Sequence, residues 1–439
     1  ATNYLVSGLS TDSVYYFSVQ PLLGTVRGRP ALARSATPNT GPCADAAFDN
    51  DLALDSLAAP ASGRMFTATQ LGVEAIQVRI RNFDDAASSG SFDISYQVNN
   101  GPVVTENSSQ VIPSLGDYTY TFTQTFDFSA TGSYTLKVWV THPGDAQRNN
   151  DTLVRVIKHL PNDPIVLAPT FTEDFETADA ASYITTTTGL EGLTRWDFKA
   201  SSANGRARTF VNSGFARSGQ RALTLDQQTY SETANADSLT ATFNLSNYTM
   251  ADQLWLDFYY RNQGTDFSLP GNQVWIRGSD ADAWIPVFTL PTHDPTHFGT
   301  YRLSSPVNIT ETLANAVPAQ SVSSSFQVRF GQEGFTSANS VITNSNLDDG
   351  FTFDDIVLTH AQNDVGIQAL VSPDIASICS LGTTETIRIR VKNYSNTTIN
   401  NVAVAYRING LLVNETIPSL APGQTMEYSF AQTANLAAW

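Results

Sequence analysis

Ile76-Gln77-Val78-Arg79-Ile80-Arg81-Asn82-Phe83 alternates apolar and polar residues, and it returns as Ile387-Arg388-Ile389-Arg390-Val391-Lys392-Asn393-Tyr394. A period of two puts Ile76, Val78 and Ile80 on one face and the Gln and Arg side chains on the other, the pattern of a strand with one buried face. The two stretches are 387 − 76 = 311 positions apart. Three more pairs follow in the same order. Tyr96-Gln97-Val98-Asn99 answers Tyr406-Arg407-Ile408-Asn409 (406 − 96 = 310), and Tyr120-Thr121-Phe122 answers Tyr428-Ser429-Phe430 (428 − 120 = 308). Between them Ile112-Pro113-Ser114-Leu115 recurs unchanged as Ile417-Pro418-Ser419-Leu420 (417 − 112 = 305). Ordered matches with a slowly drifting offset mark one duplicated unit with loop insertions and deletions. Ile76, Val78, Ile80, Ile387, Ile389 and Val391 are therefore expected in two equivalent cores.

Other strands are as plain. Tyr134-Thr135-Leu136-Lys137-Val138-Trp139-Val140 and Phe326-Gln327-Val328-Arg329-Phe330 alternate in the same way, and Gly, Pro, Asn and Asp punctuate the chain at short intervals. No convincing amphipathic helix interrupts them. The reading is all-β, a tandem of β-sandwich modules. With 439 residues the chain is too long for one core and suggests three or four domains. Lys and Arg number 24 against 41 Asp and Glu, a net charge of −17. Such a chain repels nucleic acid and anionic lipid, and no apolar run is long enough to span a bilayer. Only Cys43 and Cys379 are present, which reads as a disulfide-poor bacterial export rather than a eukaryotic secreted protein.

Resemblances refine this partition. Gly8-Leu9-Ser10-Thr11-Asp12-Ser13-Val14-Tyr15 has the Leu and Tyr spacing of a tyrosine corner. Residues 1–38 thus resemble the second half of a fibronectin type III domain, followed by a linker over 39–48. The duplicated unit, at 49–160 and 363–439, resembles the immunoglobulin-like CARDB class of modules. Gly144-Asp145-Ala146-Gln147-Arg148-Asn149-Asn150-Asp151 stands where such modules carry an Asp/Asn-rich turn before the final strand. The second copy stops short of the equivalent of Gly132 and is expected to lack its last strand pair. Between the copies, 165–361 runs from Glu173-Asp174-Phe175-Glu176 through Leu254-Trp255-Leu256-Asp257-Phe258-Tyr259-Tyr260 to Phe353-Asp354-Asp355-Ile356. That order resembles a MAM-type or carbohydrate-binding-module-type jelly roll, without the cysteines of animal MAM domains.

Catalytic chemistry finds little support. There is no Gly-x-Ser-x-Gly and no Gly-x-x-x-x-Gly-Lys. His293 and His297 have zinc-peptidase spacing, but Asp294 stands in place of Glu and Pro295 breaks the helix that motif needs. The chain is read as non-catalytic. The terminal strands of the jelly roll carry a stronger signal, because related sandwiches hold a structural calcium there. Glu176 and Asp354 are the expected ligands, with Asn346, Asp348 and Asp355 close in sequence. The competing reading is that these carboxylates cap backbone amides. Trp255 and Tyr259 share one strand face, and with Trp275 they are candidates for a glycan platform, weighed against simple burial. Asn-x-Ser/Thr sequons, and Asp-Ser/Thr-aliphatic triplets resembling the O-glycosylation signal of type IX-secreting bacteria, occur at the frequency such a composition allows.

The module set resembles the non-catalytic regions of type IX secretion cargo. It implies a secreted or cell-surface location, passage through the secretion machinery, and a cell-surface glycan or protein as partner. A structural or adhesive scaffold is the first reading; the accessory tail of a secreted subtilisin-like peptidase or other exoenzyme is the alternative.

Overall fold

The computed structural model describes residues 14–18, 22–23, 26–27, 34–36, 49–85, 87, 89–202, 205–209, 216–227, 235–262, 271–291, 299–334, 350–361, 364–374, 381–395, 397–408 and 410–437. Asn346, Asp348, Leu9, His293, His297 and both cysteines lie outside them. The protein is all-β with several separate antiparallel sheets, as tandem β-sandwich modules require. The one α-helix among the described residues is the short Ile309–Ala314, capped by the Asn308 side chain. Among the described residues no helix is long and apolar enough to cross a membrane.

Two compact units divide the chain. One comprises residues 1–60, 75–126 and 135–156; the other 61–74, 127–134 and 157–439.

In the first unit Tyr15–Phe17 pairs with Arg34–Ala36 and Leu22–Leu23 with Val26–Arg27. The body of the unit is a sheet of Leu52–Ala59, Gln77–Asn82 and Asp117–Thr121 facing another that contains Val104–Ser108, Phe92–Val98 and Gly132–Thr141. Ile76, Val78 and Ile80 are fully buried, with Phe92, Ile94, Tyr96, Leu136 and Val138 among their company in the core, while Arg79 is exposed. The alternation therefore sets the register as expected. Tyr96 meets Phe122 edge to face at 4.8 Å, closing the sandwich from both sheets.

The second unit contains the other copy and the large sandwich. In the copy, Val365–Ser372, Arg388–Asn393 and Thr425–Ser429 form one sheet, and Ile399–Ile408 pairs with Leu411–Leu420. Ile387, Ile389 and Val391 are buried. Its first strand departs from regular pairing between Ile367 and Ala369 and between Leu370 and Ser372. The first copy does so between Leu54 and Ser56 and between Leu57 and Ala59, a constant 367 − 54 = 313 positions earlier. Bulges are specific backbone features rather than noise, so this pairing, with Asp51, Leu57 and Pro60 recurring as Asp364, Leu370 and Pro373 at the same offset, extends the duplication to the first strand.

The large sandwich encloses a single core between two sheets. One is ordered Ser182–Tyr183, Gly205–Arg208, Leu223–Gln227, Phe351–His360, Leu254–Asn262 and Arg302–Leu303, with Thr170–Glu173 also pairing with Phe351–His360. The other is ordered Trp196–Lys199, Asn235–Phe243, Phe326–Gly334, Gln273–Arg277 and Ile285–Thr289. Leu254, Leu256 and Phe258 from the first sheet and Val274, Ile276, Val328 and Phe330 from the second point inward and are buried. Phe258 and Phe330 touch edge to face at 5.1 Å across the layer. Burying each such side chain stabilises the fold by roughly 1.5–3 kcal/mol.

Candidate metal centre

Among the described residues, one group of three carboxylates that could hold a metal ion lies in the first repeat. Asp51 immediately precedes the strand Leu52–Ala59, and its carbonyl accepts from Phe83 N at 2.9 Å. The turn Gly144–Asp151 comes back to the same place. Leu54 N donates to Asn150 O at 3.1 Å and Val140 N to Asp151 O at 3.0 Å, which fixes the end of the turn against the first strand. Asp145 then accepts from Leu52 N at 3.1 Å and from Gln147 N at 2.9 Å.

This backbone convergence gathers the carboxylates of Asp51, Asp145 and Asp151 so that an oxygen from each lies within 4.8 Å of the others. All three are buried, at 0%, 5% and 4% exposure. Their compensation is thin. Asn150 Nδ2 donates to both oxygens of Asp51, at 3.0 and 3.3 Å, and Arg148 reaches Asp151 Oδ2 at 3.3 Å from a half-exposed position. Asp151 Oδ1 and Asn150 Oδ1 are buried with no hydrogen-bond partner. Burial, reinforced by Asp145, pushes the Asp151 carboxyl up to about 6, and burial likewise raises Asp51. A buried acceptor without a donor costs about 1–3 kcal/mol, and three carboxylates in one dry corner repel. The donor set is all hard oxygen, which suits calcium and is unlike the nitrogen and sulfur sets of zinc. The cluster could hold a metal ion, and a calcium-like cation meets both demands at once.

The residues expected at the ends of the large sandwich have another occupation. Asp354 Oδ2 accepts from Arg217 N at 2.7 Å and Ser218 N at 3.3 Å. Glu176 Oε1 accepts from Gln220 N and Arg221 N, both at 2.7 Å. Both carboxylates thus serve the single turn Arg217–Arg221, the amide-capping role set against calcium in the sequence. Asp355 pairs with Arg217 and accepts from Ser218 Oγ at 2.8 Å. Burial, with Asp355 adding to it, pushes the Asp354 carboxyl up to about 6 against those amides.

The three aromatic candidates do not share a platform. Trp255 and Tyr259 stand on Leu254–Asn262 in one sheet, pointing away from the core, whereas Trp275 stands on Gln273–Arg277 in the other. Chain alternation assigns a face within a strand but does not reveal that the chain changes sheets between these two. Tyr259 is covered by the Arg217 guanidinium at 3.4 Å, and a Cβ on Gly331 would stand 2.5 Å from the Trp275 ring, so that ring lies on its own sheet.

Sequence reasoning misses this cluster and places the metal at Glu176 and Asp354 instead. The turn holding Asp145 and Asp151 is conspicuous as a string of Asp and Asn, but Asp51 is 145 − 51 = 94 positions away and joins only through strand register.

No family model matches the chain, and no curated protein matches it. Among solved structures it has distant similarity to the N-terminal CBM22-1–CBM22-2 tandem domain of Paenibacillus barcinonensis Xyn10C, at 12% identity over 70% of this chain and 98% of that one, TM-score 0.25. The family 11 carbohydrate-binding module from Clostridium thermocellum, in complex with a β-1,3-1,4-mixed-linked tetrasaccharide, aligns at 9% identity over 42% of this chain and 98% of that one, TM-score 0.23. A partial N-terminal region of an enterococcal surface protein aligns at 9% identity over 78% and 88%, TM-score 0.13. Scores this low carry no functional argument.

Proposed function

We propose that the chain is a non-catalytic, modular part of a secreted bacterial surface protein, a structural or adhesive scaffold. We propose further that calcium at Asp51, Asp145 and Asp151 locks the first repeat. The observation that carries the calcium reading is Asp151, which is buried beside two other carboxylates with Oδ1 unpartnered. The ion joins the residue that opens the first strand to the turn before the last one, so it ties together the two ends of a module.

The scaffold reading is supported by how the two copies use their shared polar residues. Asn82 and Asn393, and Glu106 and Glu415, each clamp backbone of their own module. Calcium sites of extracellular modules bind at roughly 10⁻⁴–10⁻³ M. At a hundredfold excess over such a constant, binding to the native state alone stabilises by about 2.7 kcal/mol. Calorimetric titration of the full chain with calcium is expected to give one site, lost in Asp151→Asn. A wild-type chain that takes up no calcium, or an Asp151→Asn chain that binds as the wild type does, would sink the assignment.

A further inference from the structure

The outer face of the five-stranded sheet in the large sandwich concentrates positive charge in a strongly acidic chain. Because Trp196, Phe198, Leu239, Ala241, Val328 and Phe330 point into the core, the alternate residues Lys199, Thr240, Gln327 and Arg329 point out. Strand register places Arg329 beside Thr240 on one side and Trp275 on the other, and Arg277 beside Gln327. Arg277 and Arg329 are therefore diagonal neighbours. Together with Lys199 and the threonines 186–188 they line a recess of 270 Å³. That is slightly below the ~300–1,000 Å³ of sites for drug-sized ligands and suits one sugar-sized group.

The charges in this recess form no ion pairs with carboxylates, although Asp280 and Asp282 stand near enough to Arg277 to favour its charged form against the burial that opposes it. Asp197, the carboxylate lining it, is already gripped by Arg64 through two bonds of 3.0 Å and by Gly189 N at 2.8 Å. Arg277 donates from Nε and Nη2 to Gln327 Oε1, at 2.7 and 2.5 Å, and from Nη1 to Asp282 O at 3.2 Å, all neutral acceptors, which leaves one N–H on each Nη to face the recess. Arg329 gives Nε to Thr240 Oγ1 at 3.4 Å. Both guanidinium groups also lie over the Trp284 ring, at 4.3 and 3.9 Å. Among the described residues no carboxylate comes within ion-pair distance of Arg277, Arg329 or Lys199. Burial, and then Arg277, push the Arg329 guanidinium down to about 10. Adjacent like charges on a sheet destabilise it, and an anion between them removes that cost. Guanidinium groups match carboxylate and sulfate in a bidentate geometry, and the surrounding threonine hydroxyls both donate and accept, as sugar hydroxyls require.

We propose that this recess binds the oxyanion of an acidic saccharide, its carboxylate or sulfate held by Arg277 and Arg329 and its hydroxyls by the threonines. The proposal rests on the reading of the chain as extracellular modules and adds the ligand chemistry to it.

The test is titration of the full chain with trigalacturonate, a heparin-derived tetrasaccharide, a neutral glucan tetrasaccharide, sodium sulfate and a thymidine oligonucleotide. Binding of one or both acidic saccharides, above that of the neutral glucan, is expected; which one binds separates carboxylate from sulfate. Arg329→Gln should weaken it about tenfold, the scale of a lost charge-assisted contact. Lys199→Ala, an exposed position that leaves the fold alone, should weaken it about threefold and flatten its salt dependence. Without ligand, Arg329→Gln should melt close to wild type, since the repulsion removed offsets the lost contacts with Thr240 and Trp284. Absence of binding by either acidic saccharide overturns the proposal. So does equal binding of the neutral glucan, of free sulfate or of the oligonucleotide, or unchanged affinity in both variants. Such a failure beside an intact calcium response would remove the saccharide and leave the scaffold reading in place.

Discussion

Glu106 and Glu415, 415 − 106 = 309 positions apart, make the same hydrogen bonds in the two copies. Glu106 accepts from Tyr120 Oη at 2.7 Å, Thr123 N at 2.9 Å and Gln124 N at 3.1 Å. Glu415 accepts from Tyr428 Oη at 2.7 Å, Ala431 N at 2.9 Å and Gln432 N at 3.3 Å. The bond from Tyr428 holds the Glu415 carboxyl below its ordinary range. Burial alone would raise Glu106, but the bonds from Tyr120, Thr123 and Gln124 outweigh it and the net shift is down. A carboxyl lowered by folding contributes stability above its unfolded value and loses it as pH falls through the folded one. Urea unfolding followed from neutral to acid pH should therefore show stability declining below the ordinary carboxylate range. The decline should be shallower in Glu106→Gln. An unchanged acid slope in that variant would count against the clamp.

Asn82 and Asn393 give a second matched pair. Asn82 Nδ2 donates to the carbonyls of Ala87, Ile112 and Pro113, and Asn393 Nδ2 to those of Thr397, Leu420 and Ala421. Replacing either by Ala strands carbonyls in a buried corner. At about 1 kcal/mol per bond the cost is roughly 3 kcal/mol. Denaturant melts of Asn82→Ala and Asn393→Ala should each lose about that much. A loss below about 1 kcal/mol in both would show that the bonds are replaced by water.

The strands and the duplication were legible because alternation and order survive in sequence, but the identical Ile112-Pro113-Ser114-Leu115 and Ile417-Pro418-Ser419-Leu420 are not equivalent in space: the carbonyls held by Asn82 and Asn393 make Ile112 the counterpart of Leu420. Ile76 to Ile80 and Ile387 to Val391 fell on the core side as read. The clamps were less so: Gly101, Val104 and Glu106 recur as Gly410, Val413 and Glu415, but nothing local says that a glutamate will reach across to the next sheet's turn. The first strands, Leu52–Ala59 and Val365–Ser372, share their bulges and, at the same offset, Leu57 with Leu370, but the identical residues are too scattered to mark the repeat by themselves. Asp51 belongs to the metal cluster through pairing across nearly a hundred residues. Strand periodicity carries no record of which sheet a strand joins, so it groups Trp275 with Trp255 although the two stand in different sheets.

Gly219 tests the role of Glu176. Its φ is +58°, and a Cβ there would stand 2.3 Å from Glu176 Oε1. Gly219→Ala combines left-handed backbone strain of about 1–2 kcal/mol with displacement of the carboxylate from its two amides. Thermal unfolding should detect a loss of at least about 2 kcal/mol in the large sandwich. A melt like that of the wild type would mean that the turn relaxes freely and that Glu176 does not hold it.

The metal cluster carries its own pH signature. In chelator, Asp151 with its carboxyl at about 6 makes the folded protein bind more protons than the unfolded chain just below that pH. The first repeat should then gain stability as pH falls through that value and lose it as pH rises. In calcium the order reverses, because the ion needs ionised carboxylates and protons compete for them. Unfolding midpoints at about pH 5 and about pH 7.5, with and without calcium, should cross in this sense. Asp151→Asn should abolish the crossing; persistence of the crossing in that variant would assign it to other groups.

Hydrogen exchange of the full chain, with and without calcium, tests the account most directly. Asp51 to Leu54 and Gly144 to Asp151 close one site from two distant stretches. Calcium should slow exchange in both stretches together and leave Val365–Ser372 and the turn Arg217–Arg221 unchanged. Protection at Arg217–Arg221 instead, or no calcium effect at Asp51 to Leu54, would contradict it.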